Sequence, residues 1–590
     1  MVRCSAVTIL GGGLSGLSAA FHLSRRFPAQ TGVRITLVEK AQRLGGWVQS
    51  ERVRVKCDQG HQADVLLESG PRTLRPASKA ILELIHLLNL SSSVLTVSRN
   101  APAARNRFLH IPGTKGLVTI PGSLPSLLVS PLAKILVPAI VADLRRRDGT
   151  VLNTSDSNDE SVDAFLTRHF GSEFAQTFGS ALVHGIYAAD SRRLSVRAAF
   201  LAMCRLEEAG GGSVVRGALA EMLSSLKTRK AENANPVEEA MPYELGAIAQ
   251  LMKGVSVYSF RDGMQTLTDA MVRHLEHQTN VTIIKGDGAS SLAKIEGDSG
   301  FQVSTESGMD ITSSHIVSAL PLPLLHELLS RSPDVLRQRP AVKPSSTPMR
   351  VVANHRKLPP FPHPALSTST GTIGRYQVPE LPIGGQPNKV SSCTNTAGSV
   401  VPLPSLPRPL DNPSSSVVVV NLVFPPSENS IHREGFGYLI PRPRPDYPSP
   451  GSSLGMLGTV FDSSALGGQD ISCSADQRPP KFTKVTVMLG GPYGPPSPDP
   501  QSPRFLPELL TALQQHLGHG HPLPEPCLVR IRQHRDCIPT PTVGHLARIA
   551  ELRAAVRDRW GDSAAIIGAA AGGVSVGDCI ESGRRVALEM

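Results

Sequence analysis

The stretch Ala6-Val7-Thr8-Ile9-Leu10-Gly11-Gly12-Gly13-Leu14-Ser15-Gly16 decides the fold. Its first five residues are mostly apolar and β-prone, the composition of a strand buried on both faces. Glycines follow at once, and beyond them Leu14, Leu17, Ala20 and Leu23 recur at helical spacing. Arg25-Arg26 and then Pro28 close that helix, because cations suit the carbonyl end of the helix dipole and proline cannot continue it. Residues 33–38 read as a second strand that finishes at Glu39. Strand, helix and strand together make one complete parallel unit.

Within that unit Gly11, Gly13 and Gly16 have the spacing G-x-G-x-x-G, and Glu39 stands 23 residues after Gly16. Gly11 permits the tight turn, Gly13 lets the backbone approach a pyrophosphate, and Gly16 lets helix and strand pack closely. The amide end of the helix attracts the phosphate charge. A carboxylate at Glu39 can accept hydrogen bonds from ribose hydroxyls, which favours FAD or NAD over NADP. The next residues, Arg43-Leu44-Gly45-Gly46-Trp47, choose between those two. An R-x-G-G step after the acidic strand end resembles the second FAD motif of amine-oxidase-like flavoproteins. Candidate cofactor residues are therefore Gly11, Gly12, Gly13, Leu14, Ser15, Gly16, Glu39, Lys40, Arg43, Gly45, Gly46 and Trp47.

The far end of the chain repeats the theme. Residues 564–567 read as an apolar strand, and the glycine-rich run from Gly568 leads through Val574, Ser575 and Val576 into a helix. Amides at such a helix start can stabilise the negative charge that develops on a reduced flavin. Cys579, inside that start, reads as a small buried thiol rather than a nucleophile or a flavin tether.

The 590 residues carry 60 Lys+Arg against 49 Asp+Glu, a formal charge of +11. At roughly 100–200 residues per domain, the length allows about two to four domains. The charge suits an anionic substrate or an acidic lipid surface, so a nucleic-acid partner is not required. Eight cysteines without one C-x-x-C pair exclude a disulfide scaffold and offer no metal-site spacing. No uninterrupted apolar run reaches about 20 residues, so no ordinary spanning helix is expected. The opening residues run straight into the first strand, and no cleavable presequence is expected.

Two stretches stand apart. Residues 117–133 contain no charge, but Pro121, Pro125 and Pro131 interrupt them. They form either broken core helices or a patch that dips into one leaflet, with Lys134 and Arg145-Arg146-Arg147 meeting headgroups. Residues 340–413 hold fifteen prolines in 74 positions with weak periodicity, the composition of a disordered insert or of a gene-model error.

Taken together the chain resembles one family, the protoporphyrinogen oxidases of the animal mitochondrial type. The matching stretches are VTILGGGLSGLSAAFHLSRR (7–26), VEKAQRLGGWVQS (38–50), SGPRTLRPAS (69–78), APAARNRFL (101–109), HGIYAADSRRLSVR (184–197), EGFGYLIP (434–441), VTVMLGG (485–491) and DCIESGR (578–584). The glycine motif alone would indicate only the superfamily. The stretches GFGYLIP and DCIESGR, in their places, are far more specific.

The resemblance implies an α/β (α+β) protein with a Rossmann-like FAD-binding domain, a mixed-sheet substrate domain and a helical membrane-associating domain. The expected segments are 1–95, 255–335 and 515–590 for FAD, 96–250 for the helical domain, and 336–514 for the substrate domain with its insert. The implied reaction takes protoporphyrinogen IX to protoporphyrin IX in three two-electron steps, with O2 as acceptor and H2O2 as product. One non-covalent FAD per chain does the chemistry at its N5, so no side chain is named as catalytic. Arg107 resembles the arginine that pairs with a substrate propionate, a task its forked donors suit. Gly185, Phe436, Gly437, Leu439 and Met488 match the substrate walls. Gly70, Pro71, Arg72, Ala289, Gly568, Val574, Ser575 and Val576 match further FAD contacts. The family setting is the intermembrane-space side of the mitochondrial inner membrane, with peripheral attachment to a membrane surface. A homodimer and a contact with ferrochelatase stay open as further partners.

Some positions depart from the family. His184 stands where an arginine is usual, which puts a second cationic contact there in doubt. Thr540-Pro541 replaces a Gln-Tyr pair, Ser69 replaces a leucine, and residues 52–63 are longer and more polar than usual. A related amine or carotenoid oxidoreductase, or a non-catalytic porphyrin-binding protein, remains as the alternative.

Overall fold

A computed structural model describes residues 4–58, 60–146, 159–228, 242–295, 300–330, 400–402, 413–472 and 481–590. The chain divides into a large unit, Met1–Pro333 with Val400–Met590, and a small one, Asp334–Ser399. The small unit, and nearly all of the proline-rich 340–413, lie outside the described residues.

Strand β1 (Ala6–Leu10) is buried along its whole length, helix α1 covers Leu14–Arg26, and β2 covers Arg34–Glu39. Among the described residues, β1 lies at the centre of a five-stranded parallel sheet. Its order is Ala564–Ile566, His315–Ser318, β1, β2 and Val281–Lys285. A parallel sheet must be covered on both faces. On one side Leu17 and Phe21 of α1 pack with Leu267 and Met271 of helix Gln265–Glu276 and with Ile580 of helix Val576–Glu589. On the other side lie Val303 of a small antiparallel sheet and Ile549, Leu552 and Val556 of helix His545–Trp560. The first and last helices approach closely because Gly583 has no side chain: a Cβ there would fall 2.6 Å from the Ala19 amide nitrogen.

A second sheet has the order Leu528–Pro539, Ser414–Phe424, Thr483–Gly490, Met456–Val460, Gly437–Leu439, Phe108–Leu109 and Val118–Thr119. Its pairings are antiparallel except where Gly437–Leu439 runs parallel to Phe108–Leu109, so it is mixed. In Ser414–Phe424 the period of two divides the side chains between faces. Val418, Val420 and Leu422 face a core closed by Phe505, Leu509 and Leu513 of helix Phe505–Leu517. Val417 and Val419 face the other way, with Leu457. Two strands lie outside the sheet of their expected segment. Leu528–Pro539, expected with 515–590, and Phe108–Leu109, expected with the helical 96–250, both pair into this sheet. Their partners are 105–125 and 330 residues away, which local patterning cannot register.

In the helical region the prolines fall at breaks. Pro125 opens helix Leu124–Leu128, and Pro131 precedes helix Ala133–Arg145. Pro138 nevertheless sits inside the second helix. Asp143 ties it to its neighbours, accepting from Ser213 Oγ at 2.6 Å and the Val215 amide at 2.8 Å. Among the described residues no helix is long and apolar enough to cross a membrane.

One buried carboxyl makes the fold sensitive to pH. Glu68 accepts hydrogen bonds from the Met264 amide at 2.8 Å and Ser50 Oγ at 2.7 Å, yet burial pushes its pKa from 4.5 up to about 7. The folded state therefore holds this proton more tightly than the unfolded chain does. The associated stability is complete below the unfolded pKa of 4.5 and is lost as pH rises through about 7. A Glu68→Gln variant should accordingly lose less stability than the wild type between about pH 5 and pH 8, read from urea midpoints at each.

Candidate functional site

The turn between β1 and α1 is built for close approach. Gly11 has a φ of +99°, and a Cβ on Gly16 would collide with the Gly11 carbonyl oxygen. Gly13, the residue before α1, has no side-chain cap to offer, and the first turn carries no acid. A Cβ on Gly13 would meet no atom within 4 Å. The helix amides there open into empty space, which suits an anion.

That space is a cavity of about 1650 Å³. Of the expected cofactor residues, Gly11, Gly13, Leu14, Ser15, Glu39, Lys40, Gly45, Gly46, Trp47, Gly70, Pro71, Ala289, Gly568, Val574, Ser575 and Val576 line it. Four others do not, and each has a structural task instead. Gly12 donates its amide to Glu39 Oε2 at 2.6 Å, and a Cβ on it would collide with Leu44. Gly16 packs against Gly11. Arg43 braces the glycine turn from behind, donating to the carbonyls of Leu44 at 2.9 Å, Val48 at 2.7 Å and Gly46. Arg72 is buried against Asp462, with Nη1 to Oδ1 at 3.1 Å. Its Nη2 and the cavity-lining Ser69 Oγ are buried without a hydrogen-bond partner among the described residues. Two orphaned polar atoms beside a glycine cradle are what a site for a polar dinucleotide would contain.

Glu39 accepts from the amides of Gly12 and, at 2.8 Å, Ala41, which fixes its carboxylate at the cavity edge. The helix Val576–Glu589 is partly self-capped: Ser575 Oγ accepts from the Asp578 amide and Asp578 Oδ2 from the Ser575 amide, both at 3.1 Å. Only the donors between them, Val576 and Gly577, stay available to a ligand. Cys579 also lines the cavity, with burial pushing its thiol up to about 11, so it stays protonated.

The rest of the cavity is apolar. Gly185 and Met488 line it, joined by residues that sequence reasoning passed over: Leu182, Phe200, Val417, Val419, Leu457 and Ile538. Arg107, Phe436, Gly437 and Leu439 do not lie on its wall. Phe436 packs with Val97, Ala103 and Leu466. Gly437, at φ +142°, is required because a Cβ would collide with the Thr459 carbonyl oxygen. Leu439 stands directly behind Gly185, whose Cβ would fall 2.7 Å from Leu439 Cδ2. Trp47, half-exposed, packs edge-on to His534 at 5.2 Å.

His184 settles one open point. Nδ1 donates to the Ile440 carbonyl at 2.7 Å, and Nε2 accepts from Tyr447 OH at 2.7 Å. Burial pushes its pKa down to about 4. The ring is neutral with both nitrogens engaged, so it supplies no cationic contact. Thr540 and Pro541 serve the backbone: the Thr540 amide donates to the Pro413 carbonyl at 2.7 Å, and the Pro541 carbonyl accepts from the Ser195 amide at 2.8 Å.

Comparison with known proteins agrees with this geometry. A family model described as flavin containing amine oxidoreductase matches residues 14–369. The chain is 28% identical to a protein named protoporphyrinogen oxidase from Schizosaccharomyces pombe, over 99% of this chain and 98% of that one. It is also 28% identical, over the same shares, to the protein of that name from Homo sapiens. Among solved structures, a putative protoporphyrinogen oxidase from Exiguobacterium superposes with a TM-score of 0.62 at 18% identity, covering 100% of this chain and 99% of that one.

Proposed function

The chain belongs to the family of flavin-containing amine oxidoreductases, and from that premise we propose that it oxidises protoporphyrinogen IX to protoporphyrin IX with one non-covalent FAD. The observation that carries this reading is one cavity with a dinucleotide cradle at one end and a broad apolar wall at the other. The near full-length likeness to proteins named protoporphyrinogen oxidase supports the choice of substrate.

Gly11, Gly13, Leu14 and Ser15 would hold the pyrophosphate, Glu39 the adenosine ribose, and Val574, Ser575 and Val576 the flavin end. When bound, FAD supplies two-electron acceptance, with O2 as final acceptor and H2O2 as product over three rounds. The chain's own residues bind, orient and exclude water. Val417, Val419, Leu457 and Met488 give the tetrapyrrole an apolar face, and Gly185 keeps its part of the wall free of a side chain. Arg107, outside the cavity lining, is the residue that the resemblance assigns to a propionate. Neither His184 nor Cys579 is free to act as a base: the first is tied at both nitrogens, and the second stays protonated. The test is turnover: oxygen uptake and porphyrin fluorescence with protoporphyrinogen IX and none with polyamines support it, and the reverse refutes it.

The setting we propose is the intermembrane-space face of the mitochondrial inner membrane. The support is an exposed apolar surface: Leu128 and Val129 are 75% and 85% exposed, with Val137, Val141 and Leu144 exposed on the next helix. Lys134 and Arg145 are exposed at its two ends. Leu128→Ser with Val129→Ser should weaken binding to anionic liposomes about tenfold or more, because each exposed aliphatic side chain gains roughly 1.5–3 kcal/mol on burial. Unchanged co-sedimentation would refute docking through this patch.

A further inference from the structure

The register of the mixed sheet puts a histidine on the apolar wall. His534 lies directly opposite Val417, Arg532 lies opposite Val419, and Val419 is in turn opposite Met488. Residues paired in this way point to the same side of a sheet, and Val417, Val419, Met488 and His534 all line the main cavity. The His534 ring also reaches the cofactor end. It packs edge-on to Trp47, beside Gly45-Gly46, at 5.2 Å, and it bonds the carbonyl of Ser69, beside Gly70-Pro71-Arg72. It therefore stands where the dinucleotide cradle and the apolar wall join.

The bond to Ser69 decides the tautomer. A carbonyl can only accept, so Nε2 carries the hydrogen, 2.9 Å from the Ser69 oxygen. Nδ1 is then the bare nitrogen of the neutral ring, and it has no partner among the described residues. Burial, chiefly, lowers the His534 pKa from 6.5; the Ser69 bond opposes this and the Arg532 charge adds to it. Arg532 is itself paired with Glu51 and bonded to Asn421 Oδ1 at 2.9 Å, while Trp47, Ser69 and Val417 bring no charge to the ring. At neutral pH the ring is neutral and Nδ1 can take a proton. The neighbouring thiol of Cys537 cannot serve, since burial pushes it up to about 11. A second cavity, of about 530 Å³, shares Ser414, Val417, His534 and Asp536 with the first. Asp536 is exposed, so a proton taken up at His534 has a way to solvent.

We propose that His534 Nδ1 accepts the proton that the substrate gives up in each two-electron round. This assignment rests on the porphyrinogen reading above. A bridge carbon of the porphyrinogen gives one hydrogen, with its bonding pair, to the flavin, and an adjoining pyrrole N–H gives its proton to Nδ1. The pair of that N–H bond stays on nitrogen, and the bridge carbon becomes doubly bonded to the ring. Reduction of O2 to H2O2 consumes the transferred hydrogen, its electron pair and one proton, so no charge accumulates. His534 releases its proton through the second cavity and is neutral again for the next round.

The experiment uses full-length holoenzyme, wild type and His534→Gln, mixed without air with protoporphyrinogen IX while the bleaching of the flavin is followed. Glutamine keeps an N–H for the Ser69 carbonyl but has no basic nitrogen. Bleaching should slow about 100-fold, the low end of what a positioned base contributes. Flavin content and the Kd for the product protoporphyrin IX should match the wild type. The wild-type rate should fall as pH drops through the His534 pKa, because the protonated ring has no free pair, and the variant should lack this fall. Wild-type bleaching should also be slower in D2O, where the pyrrole N–H is exchanged, a readout that needs no substitution. An unchanged rate in the variant, an equal fall with acid in both proteins, or equal wild-type rates in H2O and D2O would each overturn the assignment. Loss of flavin or of product affinity in step with the rate would overturn it too, since His534 would then be only a brace. If the wild type bleaches and His534→Gln bleaches as fast, only the proton acceptor fails. If porphyrinogen does not bleach the wild type at all, the functional reading fails and takes His534 with it.

Discussion

A Gly13→Val variant is expected to fold as the wild type does and to purify without flavin. Gly13 has φ −74° and ψ −176°, a backbone conformation that valine adopts without strain. The space its side chain would enter is empty in the protein alone, with no atom within 4 Å of a Cβ. The only thing displaced is a ligand at the amide end of α1. Crowding the pyrophosphate there should cost roughly 100-fold or more in flavin affinity and in activity, because small displacements at a positioning site carry such penalties. The neighbouring Gly16→Val is the control, since its side chain collides with the Gly11 carbonyl and should damage the fold itself. Flavin absorption per protein, with melting curves of flavin-stripped samples, separates the two. If Gly13→Val retains flavin, the cradle is misassigned.

The second large effect lies at Asp462. Its carboxylate accepts from Arg72 Nη1 at 3.1 Å and from Thr486 Oγ1 at 2.5 Å, and it is almost wholly buried. The network continues from Thr486 to Asn421 at 2.7 Å and from Asn421 to Arg532 at 2.9 Å. It thus joins the Gly70-Pro71-Arg72 turn to the mixed sheet. Asp462→Ala removes one partner and leaves the Arg72 guanidinium buried and unpaired, so it should cost about 3–5 kcal/mol. Arg72→Met should cost less, because it removes a buried charge whose remaining partner still has Thr486. Urea unfolding of both variants checks the order. Equal, small losses would show that the pair contributes little.

The parts legible in the sequence are those written locally. The β1–α1–β2 unit shows in the apolar run, the glycine spacing and the Arg25-Arg26 stop, and α1 does end at Arg26. The second strand starts one residue later than its hydrophobic pattern suggests and takes in Glu39. The breaks at Pro125 and Pro131 were visible for the same reason. Pro138 inside Ala133–Arg145 gives no local sign that the helix continues. What pattern cannot convey is which distant segments meet. Phe108–Leu109 pairs with Tyr438 and Leu439, and His534 lies opposite Val417. Those pairings build the apolar wall, so Val417, Val419 and Ile538 carried no signal beyond strand propensity. The same limit applied to Arg72, whose partner Asp462 is 390 residues away.

The central claim, that the cradle and the apolar wall form one oxidase site, is tested by anaerobic titration of the purified protein with protoporphyrinogen IX. The flavin absorption should bleach on addition of substrate, then return when air is admitted, with porphyrin fluorescence growing in step. A well-folded protein that carries no flavin, or whose flavin stays oxidised under excess porphyrinogen, would contradict it.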